Sequence, residues 1–235
     1  MQNIKISIPV LLVLAFTIGI LLLPGQTNRI GIEVGKNNYI NFQISYQLLL
    51  LGIAIISMIS SYILNPESLK SILSIGNLSA VGEELKIFGI KKGDSWLKTG
   101  VSLSIFISLA TGIFMYFQLK GQTIDYSLLK TGFLWIVLFS LTNSFAEEMI
   151  FRVGINAPLT NLLSPNNIFL ISAVIFGVAH FQGMPSGIIG VILAGLLGYV
   201  LSKSIHETNG IFWAWLIHFL QDIIIIGSLY LLKSS

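Results

Sequence analysis

Long apolar runs, separated by short polar stretches, occupy most of this chain and constrain its fold more tightly than any other feature. They fall at 8–23, 46–64, 99–117, 128–157, 168–182, 186–202 and 211–232. A bilayer core about 30 Å thick takes about 20 apolar residues of helix. Inside hydrocarbon the backbone must satisfy its own hydrogen bonds, which leaves helices as the spanning element for runs of this kind. The expected fold is therefore all-α, a polytopic transmembrane bundle of about seven spans. It reads as one membrane domain, 1–235, in which 1–127 supplies amino-terminal spans and loops and 128–232 supplies the helices that carry the polar motifs. Charged residues make up 10% of the chain and hydrophobic ones 54%, with a mean hydropathy of +0.85; a soluble domain carries about 25% charged residues. The net charge of +3 comes from lysines scattered in loops, a pattern of membrane orientation and not of nucleic-acid binding. With no cysteine in the chain, disulfides and thiolate metal sites are excluded.

The run 8–23 follows Lys5 and is closed by Pro24-Gly25; no small-residue cleavage site of a signal peptide follows it, so it is expected as a retained first span. Between Thr27 and Ser45, Ile30, Ile32 and Val34 and then Ile40, Phe42 and Ile44 alternate around Gly35-Lys36-Asn37-Asn38, a hairpin pattern. The stretch 65–98 holds the densest set of lysines, which places it and the amino terminus on the cytoplasmic side. Ile72, Ile75 and Leu78, then Leu85, Phe88 and Ile90, suggest amphipathic pieces lying on the surface. The run from Leu128 is expected to end at Ala157, before Pro158. Gly190, Ala194 and Gly198 recur every fourth residue of the run 186–202, as at close helix contacts in lipid. Lys203 to Asn209 reads as a polar turn, with His206 a solvated residue in it.

Within the run 128–157 stand Glu147, Glu148 and Arg152. Ionisable side chains at such depth are costly and mark functional sites or paired charges. Glu147 and Glu148 point about 100° apart on a helix and cannot share one task. Glu148 and Arg152, four apart, lie on one face and form an expected ion pair that braces the site. Phe176 and His180 are aligned in the same way, as are His218 and Asp222. Counted from the expected helix ends at 1.5 Å per residue, Glu147, His180 and His218 lie about 15, 18 and 14 Å deep, in one layer. A carboxylate beside a histidine can deprotonate a water, and a second histidine can donate to the oxyanion that forms when that water attacks an amide. Glu147, His180, His218 and Asp222 are equally the candidate ligands of a divalent metal such as zinc. Sequence leaves both open.

Glu-Glu-x-x-x-Arg, Phe-x-x-x-His and His-x-x-x-Asp, in that order on successive helices from Leu128 to Leu232, resemble the CAAX protease and bacteriocin-processing family of intramembrane endopeptidases, also called the Abi family. The resemblance implies that Glu147 is the base assisted by His180, that His218 lies at the oxyanion site, that Glu148 and Arg152 support the first motif and that Phe176 packs beside it. It further implies a peptide or lipidated protein as substrate and membrane lipid as surroundings. The third motif often ends in Asn, whereas Asp222 stands here; an ionised Asp accepts hydrogen bonds but donates none. Asp222 is therefore expected to orient His218 or to join a metal site, orientation ranking first.

The expected function is intramembrane peptide hydrolysis at a bacterial plasma membrane. The alternative is a membrane scaffold or bacteriocin self-immunity protein of the same fold that performs no catalysis. A transporter is a third class, and the lack of an inverted repeat or paired broken helices argues against it.

Overall fold

The computed structural model describes residues 2–27 and 32–234. Its helices are α1 (Gln2–Leu22), α2 (Asn38–Leu64), the short α3 (Pro66–Ile72), α4 (Trp96–Leu119), α5 (Leu128–Leu159), α6 (Pro165–Ala179), α7 (Gly187–Thr208) and α8 (Phe212–Ser234). Among the described residues six are long and apolar enough to cross a membrane. The seventh expected span, α6, is a helix of 15 residues, about 22 Å long and shorter than a bilayer core.

Helix ends follow local chemistry. The Asn37 side chain accepts from the backbone N–H of Tyr39 and Ile40 and starts α2. Asn65 closes α2 and caps α3 through Ser68, with Pro66 in the first turn, where a missing N–H is harmless. The hairpin expected between Thr27 and Ser45 is not formed where the chain is described: Ile40, Phe42 and Ile44 lie in the first turns of α2, and Ile30 lies outside the described residues. Apolar residues that alternate over so short a stretch fit a helix with apolar surroundings equally well.

The segment 73–95 contains one 3₁₀ turn, Lys86–Phe88, and is otherwise without helix. It folds against the junction of α7 and α8. The Ile211 N–H donates to the Ser74 carbonyl at 3.0 Å and the Asn77 N–H to the Thr208 carbonyl at 2.7 Å. Gly76, at φ +76°, lies so close to Gly210 that no side chain fits at either position. The expected polar turn at Lys203 is also corrected, because α7 continues to Thr208 and His206 is exposed on its last turns. Lys203 and Glu207, four apart, pair at 2.5 Å with both side chains more than nine-tenths buried, so the helix keeps its charges without turning to solvent. Glu207 also accepts from the Trp96 indole at 2.7 Å and the Glu83 N–H at 3.0 Å.

The core surrounds the second half of α5. Helix α5 does not end before Pro158; it continues to Leu159, with the proline in its last turn, where only one ladder donor is lost. Between Glu148 and Val153 it widens into a π-helical turn, every residue of which is buried. A wider turn weakens the regular ladder, and hydrocarbon tolerates this only where other donors reach the carbonyls. Three serines do so: Ser57 donates to the Met149 carbonyl (3.0 Å), Ser61 to that of Val153 (3.4 Å) and Ser172 to that of Phe151 (3.0 Å). Gly154 lets α1 and α2 approach, since a Cβ there would stand 2.7 Å from Ser57 Oγ and 3.0 Å from Val13. Helices α6 and α7 meet through Gly177, Gly195 and Gly198, whose added Cβ atoms would lie 2.5–3.3 Å from backbone atoms of the facing helix. Of the expected stripe, Gly198 serves this contact, while Gly190 faces the Pro185 carbonyl instead.

Candidate active site

The polar residues gather where α5 widens, between α6 and α8. Glu148 is fully buried and has two partners: its Oε1 accepts from His218 Nδ1 at 2.8 Å, and its Oε2 lies 3.4 Å from Arg152 Nε. A carboxylate can only accept, so this hydrogen bond places a proton on His218 Nδ1. The Arg152 guanidinium, also fully buried, sits 3.8 Å above the Phe176 ring. Its nitrogens make no hydrogen bond among the described residues, so charge and the face of the ring hold it.

Glu147, 8% exposed, faces the other way. Its Oε2 stands 3.8 Å from His180 Nε2 and 3.7 Å from His218 Nε2. His180 directs its Nδ1–H to the Phe176 carbonyl at 2.9 Å, since a carbonyl accepts only. Each imidazole is thus anchored through Nδ1, and each turns Nε2 toward the same carboxylate oxygen. Phe176 packs against both rings, with centroids at 4.2 Å from His180 and 5.8 Å from His218. His180 lies at the carboxyl end of α6, one residue past its last full turn.

Asp222 comes to the same place, with Oδ1 3.8 Å from His218 Nε2. That is beyond a hydrogen bond, and the bond that fixes the His218 ring belongs to Glu148. Asp222 Oδ2 instead accepts from Asn143 Nδ2 at 3.1 Å, and the same amide nitrogen donates to Glu147 Oε1 at 3.1 Å. Asn143 in turn accepts from Gln47 Nε2 of α2 at 3.3 Å. Neither amide belongs to the three sequence motifs. The available signal was that Asn143 precedes Glu147 by four residues and so shares its face.

His180, His218 and Asp222 line a cavity of about 600 Å³ bounded by α4, α7, α8 and the segment 87–94. Phe106, Ile107, Leu193 and Leu197 form apolar walls, and Lys91 and Lys98 also line it. Among the described residues no group of three or more His, Cys, Asp or Glu is arranged to hold a metal ion. The contacts that hold the site use His218 Nδ1, Glu147 Oε1 and Asp222 Oδ2, and the steps below use only side chains of this chain and water.

Six apolar helices, with buried carboxylates and a buried histidine among them, define a multi-pass membrane protein that keeps these polar groups inside the bundle. The comparison with known families is more specific. Residues 129–224 match the family model described as type II CAAX prenyl endopeptidase Rce1-like, a membrane protease family and the one that the three motifs resemble. The matched segment is less than half of the chain and runs from the start of α5 into α8. No curated protein and no solved structure matches the chain.

Proposed function

We propose that this chain is an intramembrane endopeptidase that hydrolyses a peptide bond of a membrane-associated or lipidated peptide or protein. The observation that carries this reading is the meeting of Glu147 Oε2 with His180 Nε2 and His218 Nε2 at 3.8 and 3.7 Å, beside an apolar cavity. Such separations exceed a direct hydrogen bond and are those at which a water relates two polar groups. Glu147 takes one proton from that water, with His180 orienting it, and the hydroxide oxygen bonds to the scissile carbonyl carbon. The carbonyl π electrons move to oxygen, and the oxyanion is stabilised by the Nε2–H of His218, which in this step is the imidazolium, its Nδ1–H being held by Glu148. Collapse breaks the C–N bond, and the leaving amine takes the proton held by Glu147.

The other residues hold this arrangement. Glu148 fixes the His218 ring through Nδ1, Arg152 neutralises Glu148, and Phe176 supports Arg152 and both histidines. Asp222 as a carboxylate donates nothing and shapes the field at His218 Nε2. The cavity walls suit an apolar side chain or lipid tail next to the scissile bond. The reading places the protein in a bacterial plasma membrane with its amino terminus cytoplasmic, in keeping with the lysines of 65–98.

The test compares peptides of membrane and secreted fractions, by mass spectrometry, from cells carrying the wild-type chain or Glu147→Gln at equal protein level. A longer precursor that accumulates only with Glu147→Gln is the expected outcome, and its cleavage site defines the substrate. If the two profiles agree while deletion of the whole chain alters the cells, hydrolysis is not its function and the scaffold reading replaces it.

A further inference from the structure

The amide of Asn143 has two N–H groups, and two carboxylates use them: Glu147 Oε1 and Asp222 Oδ2, each at 3.1 Å. Carboxylates accept only, so the nitrogen of Asn143 must face them and its oxygen must face Gln47. Gln47 is buried, donates Nε2 to that oxygen at 3.3 Å, and turns its own oxygen to the Thr142 hydroxyl at 2.9 Å. The orientation of both amides follows from the carboxylates at the end of the chain.

With Oε1 of Glu147 tied to Asn143, Oε2 is the oxygen left facing both histidines, and it makes no hydrogen bond. With Oδ2 of Asp222 tied, Oδ1 is the oxygen turned to His218 Nε2. One amide therefore sets two carboxylates around one imidazole nitrogen. Both its N–H groups are engaged, so it has none to offer a substrate without releasing a carboxylate.

We propose that Asn143, held by Gln47, is the positioning residue of this site. It selects the oxygen of Glu147 that faces the histidines and couples Glu147 to Asp222. Gln47 lies in α2, outside the segment 129–224 that matches the family, so the amino-terminal half of the chain completes the site. The proposal rests on the endopeptidase reading for its catalytic consequence and on geometry alone for the positioning.

The experiment uses the purified full chain in detergent with ¹⁵N-labelled histidine. The chain has three histidines, so their signals are assigned by single replacement of each. In Asn143→Leu, which removes both donors, the titration midpoints of His180 and His218 move by about half a pH unit or more. Gln47→Leu moves them in the same sense by less, and Asn143→Gln, which keeps the amide, restores part of the wild-type behaviour.

On a quenched peptide bearing a farnesylated cysteine near its carboxyl terminus, Asn143→Leu lowers kcat about 10- to 100-fold, with KM within about twofold and a displaced pH profile. Titrations of His180 and His218 that superimpose on the wild type would overturn the proposal and leave Asn143 a packing residue. If the wild type cleaves neither this peptide nor any cellular precursor, the endopeptidase reading falls, and the histidine titrations still decide the positioning. If Asn143→Leu does not fold, Gln47→Leu, one hydrogen bond removed from the carboxylates, gives the same decision.

Discussion

Replacing Arg152 with Met keeps most of the side-chain volume and removes the guanidinium paired with buried Glu148. In the wild type its Nε lies 3.4 Å from Glu148 Oε2, and both side chains are fully buried. Removing one member of such a pair costs about 3–5 kcal/mol, because the other charge is left in a medium that cannot solvate it. The contact with Phe176, at 3.8 Å from Cζ to the ring centre, adds attraction that Met replaces only in part. Against this, Glu148 retains the 2.8 Å hydrogen bond from His218, which brings the expected cost to the lower end, about 3 kcal/mol. For a chain of this size that corresponds to a fall in Tm of about 6–12 °C. The assay is thermal unfolding in detergent of wild type, Arg152→Met, Glu148→Gln and the double variant. The double variant is expected to be more stable than the sum of the single losses by about 1–3 kcal/mol, since it leaves no unpaired charge. A loss below about 1 kcal/mol in Arg152→Met, or strictly additive losses, would refute the buried-pair reasoning.

Two further outcomes follow from the same physics. Ser172→Ala leaves the Phe151 carbonyl of the π turn without its side-chain donor, and Ser57→Ala does the same to Met149. Each is expected to cost about 1–3 kcal/mol in the same melt, and an effect within error would show that the turn needs no such donors. Asp94 sits outside the spans, where the Lys98 ammonium and then the Lys91 N–H hold its carboxyl below the ordinary value of 3.8. A lowered carboxylate gives stability that is complete above that value and lost as pH falls through its own, lower one. Hydrogen exchange in 86–98 should therefore rise below about pH 4 in the wild type. It should already be raised, with little further acid dependence, in Asp94→Asn, and equal profiles would remove Asp94 from this role.

How much of the site was legible depends on what hydrocarbon penalises. Glu147, Glu148, Arg152, His180, His218 and Asp222 stood out because charge and imidazole are rare in apolar runs, and helical spacing aligned them before any contact was known. Asn143 and Gln47 did not, because a single neutral amide in a membrane helix is commonly a simple helix-to-helix bond. The π turn was illegible for a different reason. Its supporting donors, Ser57, Ser61 and Ser172, lie on other helices far along the chain, so no local pattern records it. Orientation of His218 was expected from Asp222, its neighbour four residues on, but comes from Glu148 on another helix. The charge of Lys203 signals a solvated turn in the sequence, whereas Lys203 and Glu207 satisfy one another inside the helix.

The outer face of α5 carries a longer-range consequence. Leu134, Leu138, Leu141 and Phe145 are exposed and recur every three or four residues, as expected of a strip facing lipid. Continued at the same interval, that count arrives at Glu148 and Arg152, both wholly buried. Over its first half α5 is a wall of the protein; over its second half it is an axle, enclosed on every side. Part of the enclosure is α1, whose Val13 lies against Gly154 just beyond the ion pair. The first helix is thus part of the cover that lets α5 leave the lipid-facing wall just where its count reaches a charged pair.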